Sequence, residues 1–188
     1  MLIRLSRPDG VAVDLETAKT ALRVDHDDDD LRIAALIASE TLRYEDFTQR
    51  VIVPTEFEAQ FAGWCEPLVL PIGPVRSISA VVYLDEDHAE QTVDAADWYR
   101  AEGSTGAEIR FADSFDSPTL SDRPNPVRVR FVAGAYLSAS EASESDELLI
   151  EPRDQTNIIM LVQRIYDTGE QLTDDDLRRM MGHRRVFR

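Results

Sequence analysis

Carboxylates are the only reactive groups this chain holds in abundance: 36 Asp and Glu stand against 20 Lys and Arg, three His and one Cys. Their densest run is Asp25-His26-Asp27-Asp28-Asp29-Asp30, which has the composition of a hard-cation site. A calcium loop of the EF-hand type needs Gly at its sixth position for the sharp turn and a bidentate Glu at its twelfth. Counted from Asp25, those places fall on Asp30 and Leu36, so the match fails. His26, His88 and His183 lie on the acidic turn, in an expected hairpin turn and in a basic tail, and none has a second ligand at zinc spacing. The chain has no phosphate-cradling glycine loop, dinucleotide fingerprint or nucleophile elbow. Residue type alone cannot exclude a glycosidase-like carboxylate pair, but most of the acids fall in turns and linkers. Trp64, Trp98 and Tyr99 would make a stacking platform only with a basic surface around them, and there is none, so they read as core. Cys65, beside Trp64, reads as a small, partly buried residue rather than a nucleophile. The expectation is a protein that is not an enzyme, with no catalytic residues, no metal and no cofactor.

The elements around these residues divide the chain by period. Asp14 is a good N-cap for a helix over Leu15 to Leu22, and the acidic run then stands at the start of a longer helix, about Asp29 to Thr48, where the helix dipole favours negative charge. In that second helix Leu31, Ala34, Ala35, Ala38 and Leu42 form one stripe, widened by Ile33, Leu36, Ile37, Tyr44 and Phe47. Such breadth fits either a central core helix or one that also packs against another subunit. From Val51 the period changes to two. Thr55 to Phe61 alternates, with Phe57, Ala59 and Phe61 on one face, and strands are expected at Leu68 to Leu70, Val75 to Leu84, Ala96 to Ala101, Glu108 to Phe111 and Val127 to Val132. Ala112 to Pro126, rich in proline and without a period, reads as a long loop able to embrace a neighbour. Ser138 to Asp146 reads as a flexible acidic linker. Helix returns over Gln155 to Thr168, with Gly169 beyond its end, and again from a Thr173/Asp176 capping pair to about Met181.

These segments predict an α+β fold: a helical bundle formed by N- and C-terminal helices with a β-rich insertion between them. The expected divisions are 1–50 with 150–181 as the helical core, 51–134 as the β-rich insertion, 135–149 as the acidic linker and 182–188 as a basic tail. The formal net charge of -16 repels nucleic acid, and no apolar run is long enough for a membrane helix. The N-terminal residues lack a signal-peptide h-region, and a single cysteine excludes an intramolecular disulfide and fits a reducing cytoplasm. Against this acidic body the last eleven residues, RRMMGHRRVFR, carry five arginines and no acid, as in a segment that docks on a different surface.

Several stretches, in order, resemble the head-tail connector, or adaptor, proteins of phages and of gene transfer agents. Asp14-Leu15-Glu16-Thr17-Ala18-Lys19 through Leu22-Arg23-Val24-Asp25, the acidic turn and Asp30-Leu31 resemble the family's opening. Phe47-Thr48-Gln49-Arg50 is similar to its aromatic-Thr-Gly-Arg segment, with Gln49 where Gly is common. Leu70-Pro71-Ile72-Gly73-Pro74-Val75, Ile78 through Tyr83, Val127 to Gly134, and the helix Asn157 to Tyr166 running on to Glu170 extend the resemblance over most of the chain. It departs at Ala135-Tyr136, where an aromatic often follows Gly directly, and in the acidity of the linker.

The resemblance implies a structural subunit, made in the bacterial cytoplasm and located in the particle neck between head and tail. Its partners would be copies of itself in a ring, typically twelve-fold, the portal protein, a stopper or tail-completion protein, and double-stranded DNA that passes through without specific binding. Arg184, Arg185, Phe187 and Arg188 would form the portal-docking tail, and Leu31, Ala34, Ala38 and Leu42 would pack between subunits. From another class, the charge alone also fits an acidic DNA mimic that inhibits a nucleic-acid-binding enzyme.

Overall fold

The computed structural model describes residues 1–6, 10–103, 106–135 and 150–181. The fold is α+β, as the two hydrophobic periods require, and it separates into two compact units. Of the described residues, one holds the N-terminal strand with Pro54–Gly134; the other holds residues 10–53, Ala135 and residues 150–181.

In the helical unit, α1 (Leu15–Leu22) starts where Asp14 accepts the Thr17 amide at 2.8 Å and the Thr17 hydroxyl at 2.7 Å. It stops at Arg23, which takes the left-handed conformation, φ 60°. α2 (Asp30–Thr48) ends the same way at Gln49, φ 58°, which explains why glycine suits that position. α3 (Pro152–Thr168) has Pro in its first turn, where the missing N–H costs nothing, and Gly169 at its end. α4 (Asp174–Met181) opens on a reciprocal Thr173/Asp176 pair: each side chain accepts the other's amide. The shared core contains Ala18 of α1, Ile33, Ile37 and Tyr44 of α2, Ile158, Leu161 and Val162 of α3, and Leu177 and Met181 of α4.

The acidic turn behaves differently from expectation. Asp29 stands at the N-cap of α2 but makes no side-chain cap bond. Its carboxylate instead accepts the Tyr166 hydroxyl of α3 at 2.7 Å. Asp27 and Asp30 lie 2.7 and 2.8 Å from the ammonium of Lys19, a buried α1 side chain. Hydrogen bonds to these two acids raise the Lys19 pKa. A buried ammonium must be paired, and the run Asp27 to Asp30 supplies the pairing. The turn is therefore a clasp joining α1, α2 and α3.

The β unit holds two antiparallel sheets. The larger has the order β1 (Leu2–Ser6), β2 (Thr55–Phe61), β8 (Val127–Ala133), β4 (Val75–Leu84), β5 (Glu90–Thr92). The smaller is β3 (Leu68–Val69), β7 (Gly106–Phe111), β6 (Trp98–Gly103). Two of these strands correct the sequence reading. Leu2–Ser6, placed above in the helical segment 1–50, pairs with β2 and belongs to the β unit; its short alternation was too weak to register alone. Ala96 and Asp97 belong to a 3-10 turn, because Asp94 accepts the Ala96 amide at 2.9 Å and bends the chain before β6 begins. β5 was not foreseen either, being three exposed polar residues.

At the centre of the larger sheet β8 alternates as its sequence predicts. Val127, Val129, Phe131 and Ala133 are fully buried, and Phe131 stacks on Phe57 at 5.8 Å. Its other face carries Arg128 and Arg130. Glu58 of β2 accepts from Arg130 at 3.0 Å and from Gln60 at 2.8 Å, and Arg130 also reaches Glu90 of β5 at 2.8 Å. Burial pushes the Glu58 carboxyl up, but the bonds from Gln60 and Arg130 and the two guanidinium charges outweigh it and leave the pKa below its ordinary 4.5. A depressed carboxylate contributes stability that is fully present above its unfolded pKa and disappears as pH falls through the folded one. Urea unfolding should therefore show stability falling as pH drops below about 4.5. Glu58→Gln should flatten part of that fall, and an unchanged acid limb in the variant would remove Glu58 as its source.

The long loop Ala112 to Pro126 is held to its own unit. The Trp64 indole donates to the Pro118 carbonyl at 2.8 Å, and its ring meets Tyr83, Phe111 and Phe115 at 5.2–5.4 Å. Ser121 donates its amide to Leu84 and its hydroxyl lies 2.7 Å from His88 Nδ1. Indole stacking and a buried serine thus fix a segment whose proline content had suggested a free arm.

Candidate functional site

The exposed side of α2 is the surface that stands out. At 100° per residue, its broad apolar surface splits in two. Ile33, Ile37 and Tyr44 are buried in the helical unit, with Leu36 and Phe47 packed against that core. Leu31, Ala34, Ala35, Ala38 and Leu42 point the other way and are exposed. Leu31 is 89% exposed, extreme for a leucine in the first turn of a long helix. The alanines beside it leave room for another backbone to come close.

The face is held rigid from behind by charges the sequence did not reveal. Glu40, fully buried, lies 3.3 Å from the Arg43 guanidinium, which also donates to the Leu172 carbonyl between α3 and α4. Asp154 of α3, 1% exposed, accepts the Tyr44 hydroxyl at 2.6 Å and lies 3.5 Å from Arg50. Glu45 accepts the amides of Ile52 and Val53 at 2.7 and 2.9 Å. Each acid lies at helical spacing from buried apolar residues, Ile37 and Tyr44 for Glu40, Ile37 for Glu45, Ile158 and Leu161 for Asp154; that spacing was the available signal.

The remaining candidates scatter. His26 is exposed on the acidic turn, and His88 sits on the β4–β5 hairpin in left-handed conformation, φ 64°. Cys65 is exposed, not partly buried: it lies in the irregular stretch between β2 and β3, while the ring of Trp64 beside it turns into the aromatic cluster. Trp98 is half-buried while Tyr99 is 53% exposed, so the two do not form a joint platform with Trp64. Among the described residues no group of three His, Cys, Asp or Glu could hold a metal ion. A shallow depression of about 300 Å³ is lined by Arg43, Asp46, Phe47, Asp174, Leu177 and Arg178, without a nucleophile and base in reach of each other. No helix among the described residues is long and apolar enough to cross a membrane. Arg184, Arg185, Phe187 and Arg188, and residues 136–149 of the linker, lie outside the described residues.

No family model and no curated protein matches the chain. Solved structures do. A chain in the virion of a native gene transfer agent particle is similar with a TM-score of 0.75 and 19% identity, covering 100% of this chain and 96% of that one. Chains in the neck of the empty particle, computed with C6 symmetry, and of the native particle, computed with C12 symmetry, match over the same shares at 18% identity, with TM-scores of 0.75 and 0.70. The motifs that resemble phage and gene transfer agent connectors are thus carried, end to end, on the fold of a chain from gene transfer agent particles.

Proposed function

We propose that this chain is a structural subunit of the neck of a phage-like or gene transfer agent particle: a head-tail adaptor that forms a ring under the portal. The observation that carries this reading is the whole-chain likeness to chains of gene transfer agent necks. In this reading the helical unit is the connector core and the β unit an elaboration on it. The exposed α2 stripe, Leu31, Ala34, Ala38 and Leu42, meets a different surface of the next copy. A head-to-tail contact of that kind closes into a ring when its rotation allows, and the twelve-fold symmetry of the similar neck suggests twelve copies. The ring joins the DNA-filled head to a stopper or tail-completion protein. Its net charge of -16 leaves DNA in the channel unattached, since like charges do not hold a moving polyanion.

The basic tail, with Arg184, Arg185, Phe187 and Arg188, docks on the portal, where arginines and an aromatic anchor give most of the binding. Removing residues 182–188 tests this. Met181 must stay, because it is fully buried in the helical core. The truncated chain should fold with unchanged melting temperature, while producing cells accumulate filled or leaking heads without tails. Normal tail joining by the truncated chain would end the tail-docking reading. Electron microscopy of purified particles tests the ring itself, which is lost as a reading if this chain is absent from the portal-proximal neck.

A further inference from the structure

We infer that the free edge of the smaller sheet, strand β6, pairs antiparallel with β6 of a second copy of this chain. Among the described residues β6 is an end strand, hydrogen-bonded to β7 alone. Its register with β7 is continuous from Trp98↔Phe111 to Gly103↔Gly106, and the Ala112 amide bonds the Asp97 carbonyl at 2.9 Å. Asp97 therefore faces β7, and alternation turns the N–H and C=O groups of Trp98, Arg100 and Glu102 outward. None of those outward groups has a backbone or side-chain partner among the described residues. The edge is also accessible: Tyr99 is 53% exposed, and Arg100 and Glu102 are exposed. It holds no proline, no lysine and no bulge, the usual devices that keep a strand edge from pairing.

The side chains select the occupant. An antiparallel pair centred on Ala101 places Arg100 of each copy opposite Glu102 of the other, so two charge pairs of opposite sign form on one face. These join the Arg100–Glu102 ion pair already present within each strand. On the other face Tyr99 of each copy stands opposite Gly103 of the other, beside the Glu108 carboxylate that covers that glycine, and the two Ala101 residues meet at the close, non-hydrogen-bonded position, where Cβ atoms stand about 4.5–5.5 Å apart. Centring on Arg100 instead would oppose two arginines directly. Charges that would blunt this edge toward most strands are complementary to the edge's own copy. A two-fold contact cannot continue around a ring that has different partners on its two sides, so this one pairs free chains and does not depend on the α2 contact.

Sedimentation of the full chain over a wide concentration range tests the pairing. The wild type should dimerise reversibly. Arg100→Glu and Glu102→Arg should each weaken the dimer at least tenfold, and the double exchange should restore it, which a folding defect would not allow. In a Cys65→Ser background, Ala101→Cys should form a disulfide dimer on mild oxidation, while Tyr99→Cys, whose two copies are separated by four residues of strand, should not. A wild type that stays monomeric at several hundred micromolar, a double exchange as weak as the single ones, or equal cross-linking at both positions would each overturn the assignment.

Discussion

Ala38→Arg should leave the isolated chain folded and remove it from the particle neck. Ala38 is exposed on α2, away from the buried Ile33, Ile37 and Tyr44, so a longer side chain there meets only water in a single copy. Exposed helix substitutions of this kind change stability by less than about 0.5 kcal/mol. Under the proposed ring the same position faces a neighbouring backbone at alanine distance, and a guanidinium cannot be accommodated there without moving it. A loss of about 2 kcal/mol per contact is roughly a thirty-fold weakening of each, and in a closed ring every subunit bears it. Leu31→Asp should act in the same direction, because it removes the most exposed apolar side chain of the stripe. The readout has two parts: thermal unfolding of the purified variant, and its occupancy in necks of purified particles by immunoblot and electron microscopy. Wild-type occupancy with either variant would show that the stripe faces solvent in the particle. A melting temperature lowered by many degrees would instead place Ala38 in the fold of the single chain.

What was legible in the sequence follows from the range of the interactions involved. Thr55 to Phe61 and Val75 to Leu84 coincide with β2 and β4, and Leu15 to Leu22 with α1, because alternation and capping are local. The two stripes of α2 were legible as groups, but composition alone left open whether a single chain buries both. Leu31 and Ile33 are alike in hydropathy, and the packing of the other helices decides which of them is covered. Long-range polar contacts were equally hidden. Tyr166 reaches Asp29 over 137 residues and Tyr44 reaches Asp154 over 110, so nothing local showed that the acidic turn, exposed as it is, also ties the helices together. The proline-containing loop looked free because its anchors, Trp64 and Leu84, lie dozens of residues earlier.

Glu45→Ala should be the most destabilising single change at the turn where the chain leaves α2 for β2. One carboxylate oxygen of Glu45 accepts two backbone amides, Ile52 at 2.7 Å and Val53 at 2.9 Å. Glu45 is 5% exposed, Ile52 and Val53 are 1% exposed each, and the Ile52 carbonyl is engaged by the Ala135 amide at 3.1 Å. Removing the acceptor leaves buried N–H groups that water cannot reach without opening the segment. Each such group costs about 1–3 kcal/mol, and the truncated side chain adds a small cavity. A total of about 2–4 kcal/mol is a large share of the 5–15 kcal/mol that holds a typical domain folded. Glu45→Gln keeps one acceptor oxygen at the same reach and should lose less than half as much. Urea unfolding at neutral pH measures both, with the slope against denaturant expected to stay constant so that the midpoints compare directly. If Ala and Gln cost the same, the charge rather than the two amide bonds is what matters. If neither costs more than about 0.5 kcal/mol, residues 51–53 satisfy their amides elsewhere, and the direction in which the chain leaves α2 has another origin.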